Sequence, residues 1–299
     1  MADGPFRVIG LGEILWDLFP EGKKLGGAPA NFAYHARVLG DEGIPVSRVG
    51  ADELGLEIRR RLAEAGIPDR YVQSDPNRPT GTVRVELDSR GVPSFTITPE
   101  VAWDYLEWNA DLQRLAADSD AVCFGSLAQR SPQSRRTIRA FLAAARREAL
   151  RLFDVNLRQS WYTAECLSES LAASSILKLN DEELPVVLRT LGLSAPSSRE
   201  DGCRLLLRTF QLQLVCLTLG ERGCLLVEPN ASARHPGFRV TVADTVGSGD
   251  AFTAALCHHR LRGAPLERLA QAANRYGAWV ASQAGAMPQA TAEILRAVL

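Results

Sequence analysis

Residues 120–155 read DAVCFGSLAQRSPQSRRTIRAFLAAARREALRLFDV. A short apolar run, Asp120–Phe124, precedes a helix-like stretch rich in Ala and Arg, Ser134–Leu150, and a second apolar run, Leu152–Val155, follows. Short runs of this kind fit strands buried on both faces, and strand, helix, strand is the unit from which parallel sheets are built. The rhythm extends both ways. Toward the N-terminus, Phe6–Leu11 and Val46–Val49 read as strands, with helices over Asn31–Leu39, ended by Gly40, and Leu54–Ala65, stopped by Gly66. Toward the C-terminus, Ile176–Leu179 and Leu214–Thr218 read as strands, and Ala251–Leu261, Leu266–Gln283 and Thr291–Val298 as helices. The expected fold class is α/β, a mainly parallel sheet between two layers of helices.

One region breaks the rhythm. Thr82–Leu87 sets Val83, Val85 and Leu87 against Arg84, Glu86 and Asp88, a period of two that wets one face and buries the other. Ser89-Arg90-Gly91 supplies a turn, and Ser94–Thr98 can return as a second strand. An earlier hairpin is expected at Ile14–Phe19, turning at Pro20-Glu21-Gly22. Such strands cannot lie inside a parallel sheet. A small β lid built from about residues 13–27 and 80–105, on a single domain spanning 1–299, is the expectation; a surface hairpin without function is the alternative.

Composition excludes several classes. A net charge of −1 offers no broad basic field for nucleic acid or an anionic membrane. No run approaches the roughly 18 apolar residues of a membrane-spanning helix, and the N-terminus lacks a basic region followed by an apolar core. The six cysteines are scattered, form no Cys-x-x-Cys pair, and several sit in apolar runs. They read as buried thiols of a cytoplasmic protein.

The chemistry concentrates in Asp244-Thr-Val-Gly-Ser-Gly-Asp250, read as a turn from a strand into a helix. Gly247 and Gly249 flank Ser248, and glycines let backbone N–H groups converge on one point. At a helix N-terminus that point is an anion cradle without a lysine. A carboxylate directly after it, Asp250, is out of place unless it takes the proton of an alcohol attacking a γ-phosphate. The competing role is a helix cap.

The chain resembles the PfkB, or ribokinase-like, carbohydrate kinase family. The Asp244–Asp250 stretch matches that family's C-terminal signature, and Gly26-Gly27-Ala-Pro-Ala-Asn31 its N-terminal one. Between them Arg48–Gly55, Asp154-Val-Asn-Leu-Arg158, Lys178–Glu183 and Thr218–Gly223 look like blocks of the same family, so the resemblance runs from Val8 to about Gly285. It implies a three-layer α/β/α sandwich with a β lid, and ATP and Mg2+ as cofactors. It implies Asp250 as base and Gly247, Ser248 and Gly249 as anion hole. Asn180 and Glu183 would organise Mg2+ and its waters, with helix capping as the alternative. Thr218, Gly220 and Gly223, with Asn274, Gly277 and Ala278, would border the nucleotide, or merely pack. Asp17, Gly26, Gly27 and Asn31 would hold the sugar, and Arg158 would face substrate or phosphate, or form a surface ion pair. Asp244 is the side chain nominated for a monovalent cation such as K+. A homodimer through the lid is a further expectation.

Gly12–Pro20, the Gly-Gly-Ala-Pro-Ala-Asn block, Asp154–Arg158 and Val101-Ala-Trp-Asp104 are similar to fructokinase-like members, and Ala28 stands where ribokinases usually carry lysine. Fructose, phosphorylated on a primary hydroxyl, is the expected substrate; other sugars, 2-keto-3-deoxygluconate and nucleosides are alternatives. A dinucleotide fold fails because Leu15 stands where its third glycine belongs, and a P-loop fails because Lys24 follows Gly22-Lys23. No paired Cys/His spacing suggests zinc. A sugar-binding regulator on the same scaffold would have lost the base, and Asp250 is intact.

Overall fold

The apolar runs of the chain converge in one large sheet. The computed structural model describes residues 4–20, 22–87 and 93–299. Its strands, in chain order, are β1 (Arg7–Leu11), β2 (Leu15–Phe19), β3 (Gly22–Gly26), β4 (Glu42–Gly50), β5 (Val72–Asp75), β6 (Gly81–Leu87), β7 (Pro93–Ile97), β8 (Ala121–Phe124), β9 (Leu150–Asp154), β10 (Ile176–Asn180), β11 (Leu214–Thr218), β12 (Cys224–Val227) and β13 (Ser232–His235). Its helices are α1 (Ala28–Val38), α2 (Glu53–Glu64), α3 (Ala110–Ala117), α4 (Pro132–Ala144), α5 (Ala164–Ala172), α6 (Glu183–Thr190), α7 (Arg199–Thr209), α8 (Ser248–Leu261), α9 (Leu266–Ala281) and α10 (Ala292–Val298).

Nine strands pair in the order β13-β12-β11-β10-β9-β8-β1-β4-β5, parallel from β5 to β11 and antiparallel at the β12 and β13 edge. Both faces of each inner strand are buried, which is why they read as unbroken apolar runs. In β11, Leu214 and Cys216 belong to the core shared with α1, α8, α9 and α10, while Val215 and Leu217 belong to the core shared with α3 to α7. The chain runs from β1 outward to β4 and β5, then returns beside β1 as β8 and continues the other way. The crevice beyond the C-terminal ends of β1 and β8 is therefore the reversal point, where open α/β sheets bind ligands.

The second sheet has the order β3-β2-β6-β7. Its β2–β3 hairpin is the one expected at Ile14–Phe19, and β6 lies parallel to β2 and antiparallel to β7. Val83 is buried and Arg84 exposed, as the period of two requires. Glu21, the Ser89-Arg90-Gly91 turn and Asp88 lie outside the described residues, as do the side chains of Val85, Glu86 and Leu87. Trp16 holds β2 down on α2 by donating its indole N–H to Leu54 O at 3.0 Å.

Several boundaries differ from the sequence reading, and three of the differences bear on the site or the sheet. The helix expected over Ser134–Leu150 stops at Ala144, because Leu150 and Arg151 pair with Ala121 and Val122 of β8. Arg151 also reaches back to the carbonyls of Leu142 and Ala145, both at 3.1 Å, closing the end of α4. Helix α1 begins three residues before Asn31, with Pro29 in its first turn, where a missing N–H costs little. No strand leads into α8: residues 236–247 are irregular, and Val240 and Val242 are exposed rather than paired. All six cysteines are free and buried. No helix among the described residues is long and apolar enough to cross a membrane.

Candidate active site

The polar residues that follow the strands gather at one edge of the large sheet. Glu13 follows β1, Gly125 follows β8, and Asp154, Asn180 and Thr218 end β9, β10 and β11. Two hollows open there. A narrow recess lies among Glu13, Phe124, Asp154 and Asn156, roofed by Phe32 of α1 and by Asp250 and Thr253 of α8. A wider trough runs along Thr218–Gly223, the 236–245 segment, α8 and α9. The first turns of α8 form the wall between them: Asp250 and Thr253 face the recess, and Ser248, Gly249 and Phe252 face the trough.

That wall starts at Gly247, whose backbone is left-handed at φ 78°. A Cβ there would sit 2.7 Å from the backbone of Ala286, so glycine is required twice over. No side chain caps α8, and the N–H groups of a helical first turn have no partner within the helix. They and the helix dipole make the trough end of α8 attractive to an anion. Ser248 is the exception to the expected cradle. Its amide and hydroxyl both turn back on Thr245 O, at 3.3 and 2.8 Å.

Asp250 is a third-position residue of α8, not its cap. Its Oδ2 accepts a hydrogen bond from Asn31 Nδ2 of α1 at 2.8 Å. Burial pushes its pKa up to about 6; the Asn31 bond opposes the shift, Asp154 adds to it, and Lys178 and Arg158 pull it back. Below it lies a buried ion pair, Lys178 Nζ to Asp154 Oδ1 at 2.9 Å, with Thr253 Oγ1 donating to Asp154 Oδ2 at 3.2 Å. Burial alone would lower the Lys178 pKa, but the charges of Asp154 and Glu183 more than reverse it, so Lys178 stays an ammonium. A Cβ on Gly249 would stand 3.4 Å from Lys178 Nζ, which places this cation directly under the glycine loop. Sequence reading missed Lys178, Asp154 and Glu13 as site residues. The available signal was a charge interrupting an apolar strand.

The four residues assigned to the sugar end come together from β2, β3 and α1. Burial pushes Asp17 up to about 6, with Arg158 and Lys24 opposing. A Cβ on Gly26 would collide with the Asp17 carboxylate, and one on Gly27, at φ 116°, would lie 2.5 Å from Glu13 O. The paired glycines thus make room first for the protein's own groups. Asn31 Oδ1 is buried without a partner among the described residues. Arg158 is exposed and donates to Leu157 O at 3.0 Å, while its charge reaches Glu13, Asp17 and Asp250.

Asn180 and Glu183 clasp one another's backbone. Asn180 Oδ1 accepts from Glu182 N at 2.9 Å and Glu183 N at 2.8 Å; Glu183 accepts from Asn180 N and Leu157 N, both at 2.8 Å. This is the capping geometry offered as their alternative role. No cluster of three acidic, His or Cys side chains suited to a metal occurs among the described residues. Thr218, Gly220, Gly223, Asn274, Gly277 and Ala278 all line the trough. The Asn274 amide is already bound to Cys224 Sγ at 3.0 Å and Ala270 O at 2.7 Å, so it shapes the wall rather than offering a free donor. Asp244 accepts from Val246 N at 3.0 Å and Gly285 N at 3.3 Å, and Lys24 of β3 brings its ammonium to 3.3 Å. Burial would raise the Asp244 pKa; these partners outweigh it and hold the carboxylate below its usual range.

Residues 21–292 match the family model described as pfkB family carbohydrate kinase. The chain is 30% identical to the sugar kinase PH1459 of Pyrococcus horikoshii, over 93% of this chain and 91% of that protein. The crystal structure of that kinase in complex with ATP matches with a TM-score of 0.82 at 28% identity, covering 98% of this chain and all of that one. A fructokinase of Klebsiella pneumoniae is 34% identical, over 82% of this chain and 81% of its own. A fructokinase double mutant from Vibrio cholerae O395, solved with fructose, ADP and potassium ion bound, matches over the whole of both chains with a TM-score of 0.82 at 26% identity.

Proposed function

The chain belongs to the pfkB family of carbohydrate kinases, and from that premise we propose that it transfers the γ-phosphate of ATP to a primary hydroxyl of D-fructose, with Asp250 as base. The observation that carries the reading is the position of Asp250. It is a half-buried carboxyl, oriented by Asn31, in a wall with a narrow recess on one side and an anion-attracting trough on the other.

The sugar sits against the recess face of Asp250, with Asp17, Asn31 and Arg158 as its further contacts, under the small sheet as a lid. The polyphosphate lies over the first turn of α8, and the base of the nucleotide lies toward Thr218, Gly220, Gly223, Gly277 and Ala278. Asp250 Oδ takes the hydroxyl proton as that oxygen bonds to the γ-phosphorus; the bond to the bridging oxygen breaks and ADP leaves with the electron pair. The free amides of α8, the helix dipole and the Lys178 charge beneath them oppose the negative charge of the transferring group. Mg2+ bound with the nucleotide neutralises phosphate charge. Asn180 and Glu183 suit a role through its waters, because their oxygens already accept backbone N–H groups and Mg2+ keeps several waters. A K+ ion beside Asp244 belongs to the same proposal, with Lys24 as the cation now nearest that carboxylate.

Two relatives named as fructokinases support the choice of fructose. So does the lining of the recess, whose charged groups are all carboxyls, Glu13, Asp154 and Asp250, an arrangement that disfavours a sugar acid. ADP release measured over hexoses, pentoses, nucleosides and sugar acids, with and without K+, is expected to give D-fructose the highest kcat/KM. Absence of turnover with fructose would remove it.

The pH dependence follows from Asp250. Its raised pKa means the base is lost as pH falls through about 6, so kcat/KM should drop about tenfold for each pH unit below that value. Glu13 and Asp17 titrate nearby, so the measured pKa is a property of the cluster. A profile flat from pH 8 to 5 would contradict the assignment.

A further inference from the structure

Glu13 lines the recess but has no part in the proton transfer just described. It follows β1 at the reversal point of the sheet and is 4% exposed. Its Oε2 has no hydrogen-bond partner among the described residues. A buried carboxyl left this way is costly, and an apolar residue of similar size would fill the position at less expense to the fold. The neighbouring cations, Arg158 and Arg130, act on it through charge without a hydrogen bond to Oε2. Arg130 spends Nε and Nη2 on Asp104, at 2.8 and 2.7 Å, and on Thr98 O at 2.6 Å, while its Nη1 is itself buried without a partner among the described residues. Arg158 is exposed and already donates to its own chain. Glu13 shares the lining of the recess with Asp250 and Asp154.

We propose that Glu13 is a specificity-determining residue: its Oε2 hydrogen-bonds a sugar hydroxyl other than the one phosphorylated, fixing how the sugar is turned in the recess. This rests on the recess being the acceptor pocket. Two buried oxygens, Glu13 Oε2 and Asn31 Oδ1, then meet hydroxyls in the complex. A site built to hydrogen-bond a hydroxyl discriminates against the analogue that lacks it, because its own buried group is stranded.

The test compares D-fructose with its monodeoxy analogues in the wild type, in Glu13→Met and in Glu13→Gln. If another sugar has the higher kcat/KM, that sugar and its monodeoxy series are used, so failure of fructose overturns the substrate choice and leaves this test standing. In the wild type one analogue should lose roughly 10- to 100-fold in kcat/KM. In Glu13→Met that loss should shrink to about threefold or less while the penalties on the other analogues persist. Glu13→Gln, which keeps size and polarity, should restore much of the discrimination. If Glu13→Met lowers every substrate by one common factor, or leaves the wild-type pattern of penalties unchanged, Glu13 is not reading the sugar and the proposal fails.

Discussion

Asp250→Asn is expected to lower kcat by about 100-fold or more while changing both KM values little. The amide keeps the shape of the side chain and can still accept from Asn31 Nδ2, so the wall between recess and trough stays in place. What it cannot do is take a proton from the attacking hydroxyl. Stability separates this from a structural role. The folded-state pKa of Asp250 is raised, so its favourable contribution is complete below the usual carboxylate range and is lost as pH rises through about 6. At pH 8 the wild type carries a partly buried charge that the variant lacks. Asp250→Asn should therefore melt at the same temperature or higher. A variant that melts lower and still turns over would return Asp250 to the status of a helix-terminal acid favoured only by the dipole.

Lys178→Met should be the most destabilising single change near the site. It strands the Asp154 carboxylate beneath α8, and removing one partner of a buried pair costs about 3–5 kcal/mol, a fall in Tm on the order of 10 °C. Replacing both partners, Lys178→Met with Asp154→Asn, should recover part of the loss, since no uncompensated charge remains. Thermal melts of the wild type, the single and the double variant decide this. Equal stability of all three would show that the pair contributes little. In the single variant the acid limb of the rate profile should also move to higher pH, because Lys178 is one of the charges that pull the Asp250 pKa down.

Strands such as Leu214–Thr218 were legible because burial on both faces leaves an unbroken apolar run, and the small sheet because burial on one face leaves a period of two. Helix ends were less legible. Ser134–Leu150 has helical composition throughout, yet Leu150 is claimed by a strand partner 29 residues away at Ala121. Motifs announced Asp250, Asn31 and the trough residues, but not what joins them: Asn31 and Asp250 meet across 219 positions. Glu13, Asp154 and Lys178 were hidden because a single charge in an apolar run reads as an interruption. Only the fold shows that Lys178 and Asp154 face each other, and that Glu13 joins the lining of a recess. Asn180 and Glu183 show the reverse case, a recognisable motif whose contacts are those of a helix cap.

The central claim, an acceptor hydroxyl held between Asp250 and the phosphate end of α8, is tested most directly by the product. Phosphorus NMR of ATP, Mg2+ and D-fructose incubated with the wild-type enzyme should show one phosphomonoester, coupled to two protons of a CH2 group and formed in step with ADP. ADP formed with inorganic phosphate instead, at a rate indifferent to the sugar, would contradict the account.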